Sequence, residues 1–168
     1  MAIHGVSLHA ACCLLFGAAL IAVSIEDVRC RLIPTRWLAF AAVSRTAALL
    51  MSAVVPGAAP SISVPAAVLS SLAGAAVLAL LPAAAGAVAG RVCGRPAVGD
   101  GDVALFGVAG FFFGVYAGLA VMLAACVLAL PLAGLERRRQ RRAGMRPDGT
   151  FPFAPAIALA CGLGMLVL

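Results

Sequence analysis

The sequence predicts an all-α, polytopic integral membrane protein of about six transmembrane helices, forming one transmembrane domain over residues 1–168. Three observations carry this expectation. Hydrophobic residues make up 64% of the chain and charged residues only 11%, where a soluble domain carries about a quarter charged residues. No Asp, Glu, Lys or Arg occurs from Thr46 to Gly90 or from Val103 to Leu135, and the first of these runs has room for two crossings of roughly 20 residues each. Neither run has the polar face at helical period that a soluble bundle needs. In hydrocarbon a segment must satisfy its own backbone hydrogen bonds, and Ala-, Leu- and Gly-rich segments of this length do so as helices.

The first span is expected at about Val6–Ile25. A secretory signal is the competing reading, but no Lys or Arg precedes the apolar stretch, so the positive leading region of a signal is missing. Arg29, Arg31 and Arg36 follow it instead, which puts the amino terminus outside and the next loop in the cytoplasm by the positive-inside rule. A second span runs from Pro34 or Thr35 to Val55, with Pro34 acceptable in a first helical turn. The uncharged, turn-rich stretch Val55–Pro65 suits an external loop. A third span follows over Val64–Val88. Arg91 and Arg95 bring the chain back to the cytoplasm, and Ala104–Leu135 should form a helical hairpin turning near Gly114 to Gly118. Two full crossings fit poorly into that stretch. Either these spans are short, or the fourth begins at Gly99 to Asp102 with acidic residues at membrane depth. The arginine-rich run Glu136–Arg146 is cytoplasmic, and the last span covers Phe151–Leu168. With six spans both termini lie outside, and every Arg except Arg45 lies on or near the cytoplasmic side.

The net charge of +6 comes entirely from Arg. No aromatic-interleaved basic face accompanies it, so no nucleic-acid partner is expected. The Arg residues border apolar spans, where anionic membrane lipid is the natural contact. Cys12, Cys13, Cys30, Cys93, Cys126 and Cys161 contain no C-x-x-C pair and no metal-ligand spacing, so neither a metal site nor a disulfide framework is expected, and no cofactor is implied.

Only six acidic residues are available for chemistry: Glu26, Asp27, Asp100, Asp102, Glu136 and Asp148. In the expected topology Asp27 ends the first span and Asp102 opens the fourth, both at the cytoplasmic face. Two carboxyl groups brought together do not both ionise easily, so one keeps a proton while the other acts as a base. That division suits peptide hydrolysis, with one member activating a water and the other polarising the scissile carbonyl. Gly99 and Gly101 fit beside such a pair, because without a Cβ they allow sharp bending and close approach of a substrate strand. Plainer readings stand next to these. Asp27 also fits a solvated helix end, Asp102 fits an N-terminal helix cap, and Asp100 is the rival for the second acid. Glu26 points about 100° around the helix from Asp27 and reads as a surface charge.

Three segments resemble the type IV prepilin peptidases, the GxGD membrane aspartic proteases. Asp27–Pro34, DVRCRLIP, looks like their first motif, an Asp followed by basic residues and Ile-Pro-Asn. Gly99–Gly114, GDGDVALFGVAGFFFG, looks like their GxGD motif and the span behind it. Phe151–Ala160, FPFAPAIALA, looks like the Pro- and aromatic-containing start of their last span. Order, spacing and topology agree over nearly the whole chain. The resemblance implies that the chain is a peptidase domain with Asp27 and Asp102 as its catalytic pair. The implied substrate is a prepilin or pseudopilin precursor with a short basic leader, cut on the cytoplasmic side of the inner membrane. Thr35 stands where the family often has Asn, and Ala104 where it often has Lys. Larger members carry a cytoplasmic insertion with paired C-x-x-C motifs, for which this chain has no room. It resembles the short, peptidase-only members, such as those of tight-adherence (Flp) pilus systems. The basic run Arg137–Arg146 would repel a basic leader and goes to anionic lipid, which leaves Glu26, Asp100 and Asp148 as candidate leader contacts.

The competing function is a non-enzymatic membrane subunit, a small transporter or an assembly component. Transporters more often show broken helices with polar residues near the midplane, and here only Arg45 lies deep inside a span. Arg45 fits a functional site and a snorkelling side chain equally. Gly107, Gly110, Gly114 and Gly118 recur at the spacing of close helix packing.

Overall fold

The computed structural model describes residues 2–54, 63–94, 98–142 and 152–167, and all regular structure among them is α-helical. The helices are α1 (Ala2–Cys30), α2 (Thr35–Val54), α3 (Val64–Cys93), α4 (Asp100–Arg142) and α5 (Ala154–Val167). Their apolar side chains point outward as much as inward. Leu14, Ile21, Leu69, Leu80, Leu123 and Leu130 are exposed, while Phe16, Leu78, Leu105 and Ile157 are fully buried. Such an outer surface is suited to hydrocarbon rather than water. The protein is of the all-α membrane class that its composition implies.

Helix α4 contains a reversal at Gly114, whose φ of 77° and ψ of −173° lie outside the helical region. Only glycine takes this conformation readily. Eight residues of a straight helix span about 12 Å, yet a Cβ built on Gly118 would lie 3.4 Å from the Gly110 Cα. The chain therefore doubles back, and the expected hairpin has its turn at Gly114. Its arms, residues 100–113 and 115–142, differ in length, at about 21 and 42 Å for 1.5 Å per residue. The first arm is shorter than the roughly 30 Å of a bilayer's hydrocarbon core. It also begins at Asp100, so the acidic residues belong to the helix itself.

Glycines set how closely the hairpin meets α3. A Cβ on Gly74 would collide with the Gly110 carbonyl oxygen and lie 2.8 Å from the Gly114 Cα. A Cβ on Gly107 would sit 3.3 Å from that of Ala79. Backbones pack at this distance only where side chains are absent, which is how membrane helices associate without a hydrophobic drive between them. The recurring glycines thus do serve close packing, except that Gly114 makes the turn. Across the hairpin, Phe16 of α1 stacks on Phe112, with ring centroids 4.0 Å apart and planes inclined by 17°. Phe113 meets the Phe16 ring edge-on.

Arg45 does not snorkel to the surface. Its Nη2 lies 3.4 Å from the Ser71 hydroxyl, and its guanidinium sits 5.7 Å from the centroid of the Phe112 ring. Its buried Nε has no hydrogen-bond partner among the described residues.

Three helices are long and apolar enough to cross a membrane: Ala10–Cys30, Val64–Val92 and Asp100–Arg142. Counting six crossings requires α2, α5 and both arms of α4 to be added to α1 and α3. Contacts between Glu26 and Arg36, Ile33 and Gly101, and Asp27 and Ala154 gather the end of α1 and the starts of α2, α4 and α5 at one end of the bundle.

Candidate active site

Asp27 lies in the last turn of α1, and its burial follows from how that helix ends. The helix stops at Cys30, and Arg31 turns into the left-handed region at φ 54°. There its N–H donates to the Asp27 carbonyl at 2.8 Å, the single-bond left-handed cap by which helices often end. The chain then runs through Ile33 and Pro34, and the Pro34 carbonyl accepts the Trp37 N–H at 3.2 Å to start α2.

The Asp27 side chain is only 7% exposed. Its Oδ2 accepts the Ala154 backbone N–H at 3.0 Å, and the Phe153 N–H also bonds to this carboxyl group. The start of α5 has no Ser, Thr, Asn or Asp to cap it, although the first N–H groups of every helix lack partners within it. Asp27 reaches across from α1 and supplies that cap, and the positive end of the α5 dipole faces its carboxylate. Phe153 is held in turn by Phe106 on the first arm of α4, with ring centroids 5.8 Å apart. The segment Pro152–Pro155 therefore has a physical task, which is to deliver the backbone donors of Phe153 and Ala154 to Asp27. Sequence reasoning missed Phe153 and Ala154 as partners. The signal present was a helix start between prolines with no capping residue of its own.

Asp102 occupies the first turn of α4, where its N–H donates to the Gly99 carbonyl at 3.1 Å. It is half-buried, and the Asp27 charge lies close enough to act on its carboxyl group. Asp27 and Asp102, on separate helices, thus lie within range of each other's charge. Among the described residues no hydrogen-bond donor reaches the Asp102 side chain, and no three His, Cys, Asp or Glu side chains converge as a metal site would require. Neither Gly99 nor Gly101 is in the left-handed region. The reason for Gly101 is packing: a Cβ there would come within 3.0 Å of the Ile33 Cβ. The Ile33–Gly101 contact joins the segment after Asp27 to the turn that carries Asp102. Gly99 has more room, with a built Cβ 3.6 Å from Asp102 Oδ2.

The other acidic candidates are placed differently. Glu26 pairs with Arg36 at 2.5 Å and accepts the Trp37 Nε1–H at 3.1 Å, so it ties α1 to α2. Asp100 is exposed on the first turn of α4, and Asp148 lies outside the described residues. Because Arg36 is 71% exposed, screening by water keeps its pair with Glu26 weak. Glu26→Gln is expected to lower the melting temperature no more than Arg36→Gln does. A thermal double-mutant cycle with the two single variants and the double checks this.

Fold and site together define a helical membrane protein with two acidic residues, Asp27 and Asp102, within range of each other's charge where its helix ends converge. The chain belongs to the type IV leader peptidase family, whose model matches residues 14–134. The match includes Asp27, Gly99, Gly101 and Asp102 and stops short of α5. Comparisons with curated proteins and with solved structures gave no match. Family membership makes proteolysis of the leader-peptidase type the activity class.

Proposed function

We propose that the chain is a prepilin leader peptidase, an aspartic endopeptidase that removes the basic leader from type IV pilin-like precursors at the cytoplasmic face of the inner membrane. The observation that carries this reading is that Ile33, after Asp27, packs on Gly101, beside Asp102, so that two carboxyl groups from different helices lie within range of each other's charge. Carboxyl groups in that relation share one proton. The ionised member takes a proton from water as the oxygen adds to the scissile carbonyl. The protonated member hydrogen-bonds to the carbonyl oxygen. Collapse of the tetrahedral intermediate breaks the C–N bond, and a proton passes to the departing amine.

Orientation follows from charge. Arg29, Arg31 and Arg36 cluster at the same end of the bundle as the pair, and Arg137, Arg138, Arg139, Arg141 and Arg142 are exposed on the last turns of α4. The positive-inside rule puts this end in the cytoplasm. With α2, α5 and both arms of α4 counted as crossings, the total is six and the termini are outside. The exposed arginines on α4 are assigned to anionic lipid headgroups, and Asp100 and Asp148 to the basic leader.

The test is leader removal from a pilin-like precursor, with the protein purified into phospholipid vesicles and the products identified by mass. The expected result is one cut at the junction of the basic leader and the apolar helix. No cleavage of any such precursor, by protein that is folded, contradicts the reading.

A further inference from the structure

Arg31 is the one non-glycine residue with positive φ among the described residues, at 54°. The position is the residue after the helix end, where glycine enters the left-handed region freely and a residue with a Cβ does so against a steric penalty. Nothing in the closing hydrogen bond needs a side chain, since the Arg31 backbone N–H makes it alone. Strain kept at one residue directs attention to what its side chain does. The Arg31 guanidinium lies 4.0 Å from Glu136 on the second arm of α4. Its positive charge is also close enough to act on the Asp27 carboxylate. From its left-handed position Arg31 thus joins the end of α1 to the end of α4, beside a carboxyl group that the start of α5 also holds.

We infer that Arg31 is a positioning residue for the reaction: its strained backbone directs a cation between Asp27 and Glu136, and this cation holds the Asp27 carboxylate in its working orientation. The inference rests on the reading of Asp27 as a catalytic group. Glu136, 4.0 Å away, adds a second acidic neighbour to the guanidinium. A leader-binding role fits poorly, because a cation repels the basic residues of a leader. The expected signature is therefore in kcat and not in KM.

Three substitutions separate backbone from charge. Arg31→Gly relieves the strain and removes the cation, Arg31→Gln keeps the strain and removes the cation, and Arg31→Lys keeps both. Each is measured in vesicles for thermal unfolding and for kcat and KM on a pilin-like precursor, beside wild type and Asp27→Asn. Arg31→Gly and Arg31→Gln should lower kcat by about tenfold or more, as misplacement of a reacting group does, with KM within about twofold. Arg31→Gly should melt no lower than wild type while losing activity, and Arg31→Lys should recover at least half of the lost rate. A structural role predicts instead that stability and activity fall together. Full kcat in Arg31→Gly, or loss seen only in KM, overturns the inference while an inactive Asp27→Asn leaves the catalytic reading in place. A fully active Asp27→Asn overturns that reading itself.

Discussion

Replacing either Asp27 or Asp102 with Asn is expected to lower kcat for leader removal by about a thousandfold, the range set by loss of a general acid or base. Asn keeps the shape of Asp, and its amide oxygen still accepts the Ala154 N–H that Asp27 binds at 3.0 Å. The fold should therefore survive, and the loss should be chemical. The two carboxyl groups act on one water and one carbonyl, so the double variant should be no slower than the worse single one. Asp100→Asn, two positions away and exposed on the first turn of α4, should keep kcat within about threefold, with the cost of its leader contact falling on KM. Quantifying mature product over time for the four variants checks all of this. Equal loss in Asp100→Asn would move the second acid to that residue.

The second large effect is on stability. Gly114→Ala is expected to cost about 3 kcal/mol, because φ and ψ near 77° and −173° fall where only glycine is at ease. The added Cβ would also lie 2.7 Å from the Ser70 hydroxyl oxygen. The two contributions separate. Ser70→Ala removes the hydroxyl, leaving the nearest Ser70 carbon 3.9 Å from the new Cβ, so it should restore only the steric share. Thermal unfolding of the single and double variants measures both. An unchanged melting temperature in Gly114→Ala would mean that the chain does not reverse at this residue.

What the sequence revealed and what it withheld follow from one property of membrane helices. Lipid is as apolar as a protein core, so α1, α3 and α4 show their length and class plainly but do not mark which faces meet. The helical class and the turn near Gly114 were legible because glycines and charges are scarce and stand out in apolar runs, and the same scarcity singles out Asp27 and Asp102 as candidates. The partners of Asp27 were not. Its donors are backbone N–H groups at the start of α5, and a backbone donor leaves no trace in residue type. Glu26 read as a surface charge, and its link to Arg36 and Trp37 appears only when α1 and α2 are seen to meet. For Gly101 the pattern suggested room for a substrate strand, whereas the folded chain fills that space with Ile33. The strain at Arg31 is likewise a property of backbone geometry.

The account depends on the segment after Asp27 packing against the turn that carries Asp102. Disulfide formation measures this directly, with cysteines introduced at Ile33 and Gly101 in an otherwise cysteine-free chain and oxidised in the membrane. A Cβ built at position 101 lies 3.0 Å from the Ile33 Cβ, somewhat closer than the roughly 3.5–4.5 Å of a disulfide, so a small backbone adjustment brings the two thiols into bonding range and the account predicts rapid, near-complete cross-linking. A chain that cross-links at the control pair Ala79→Cys and Gly107→Cys but not at positions 33 and 101 would contradict it.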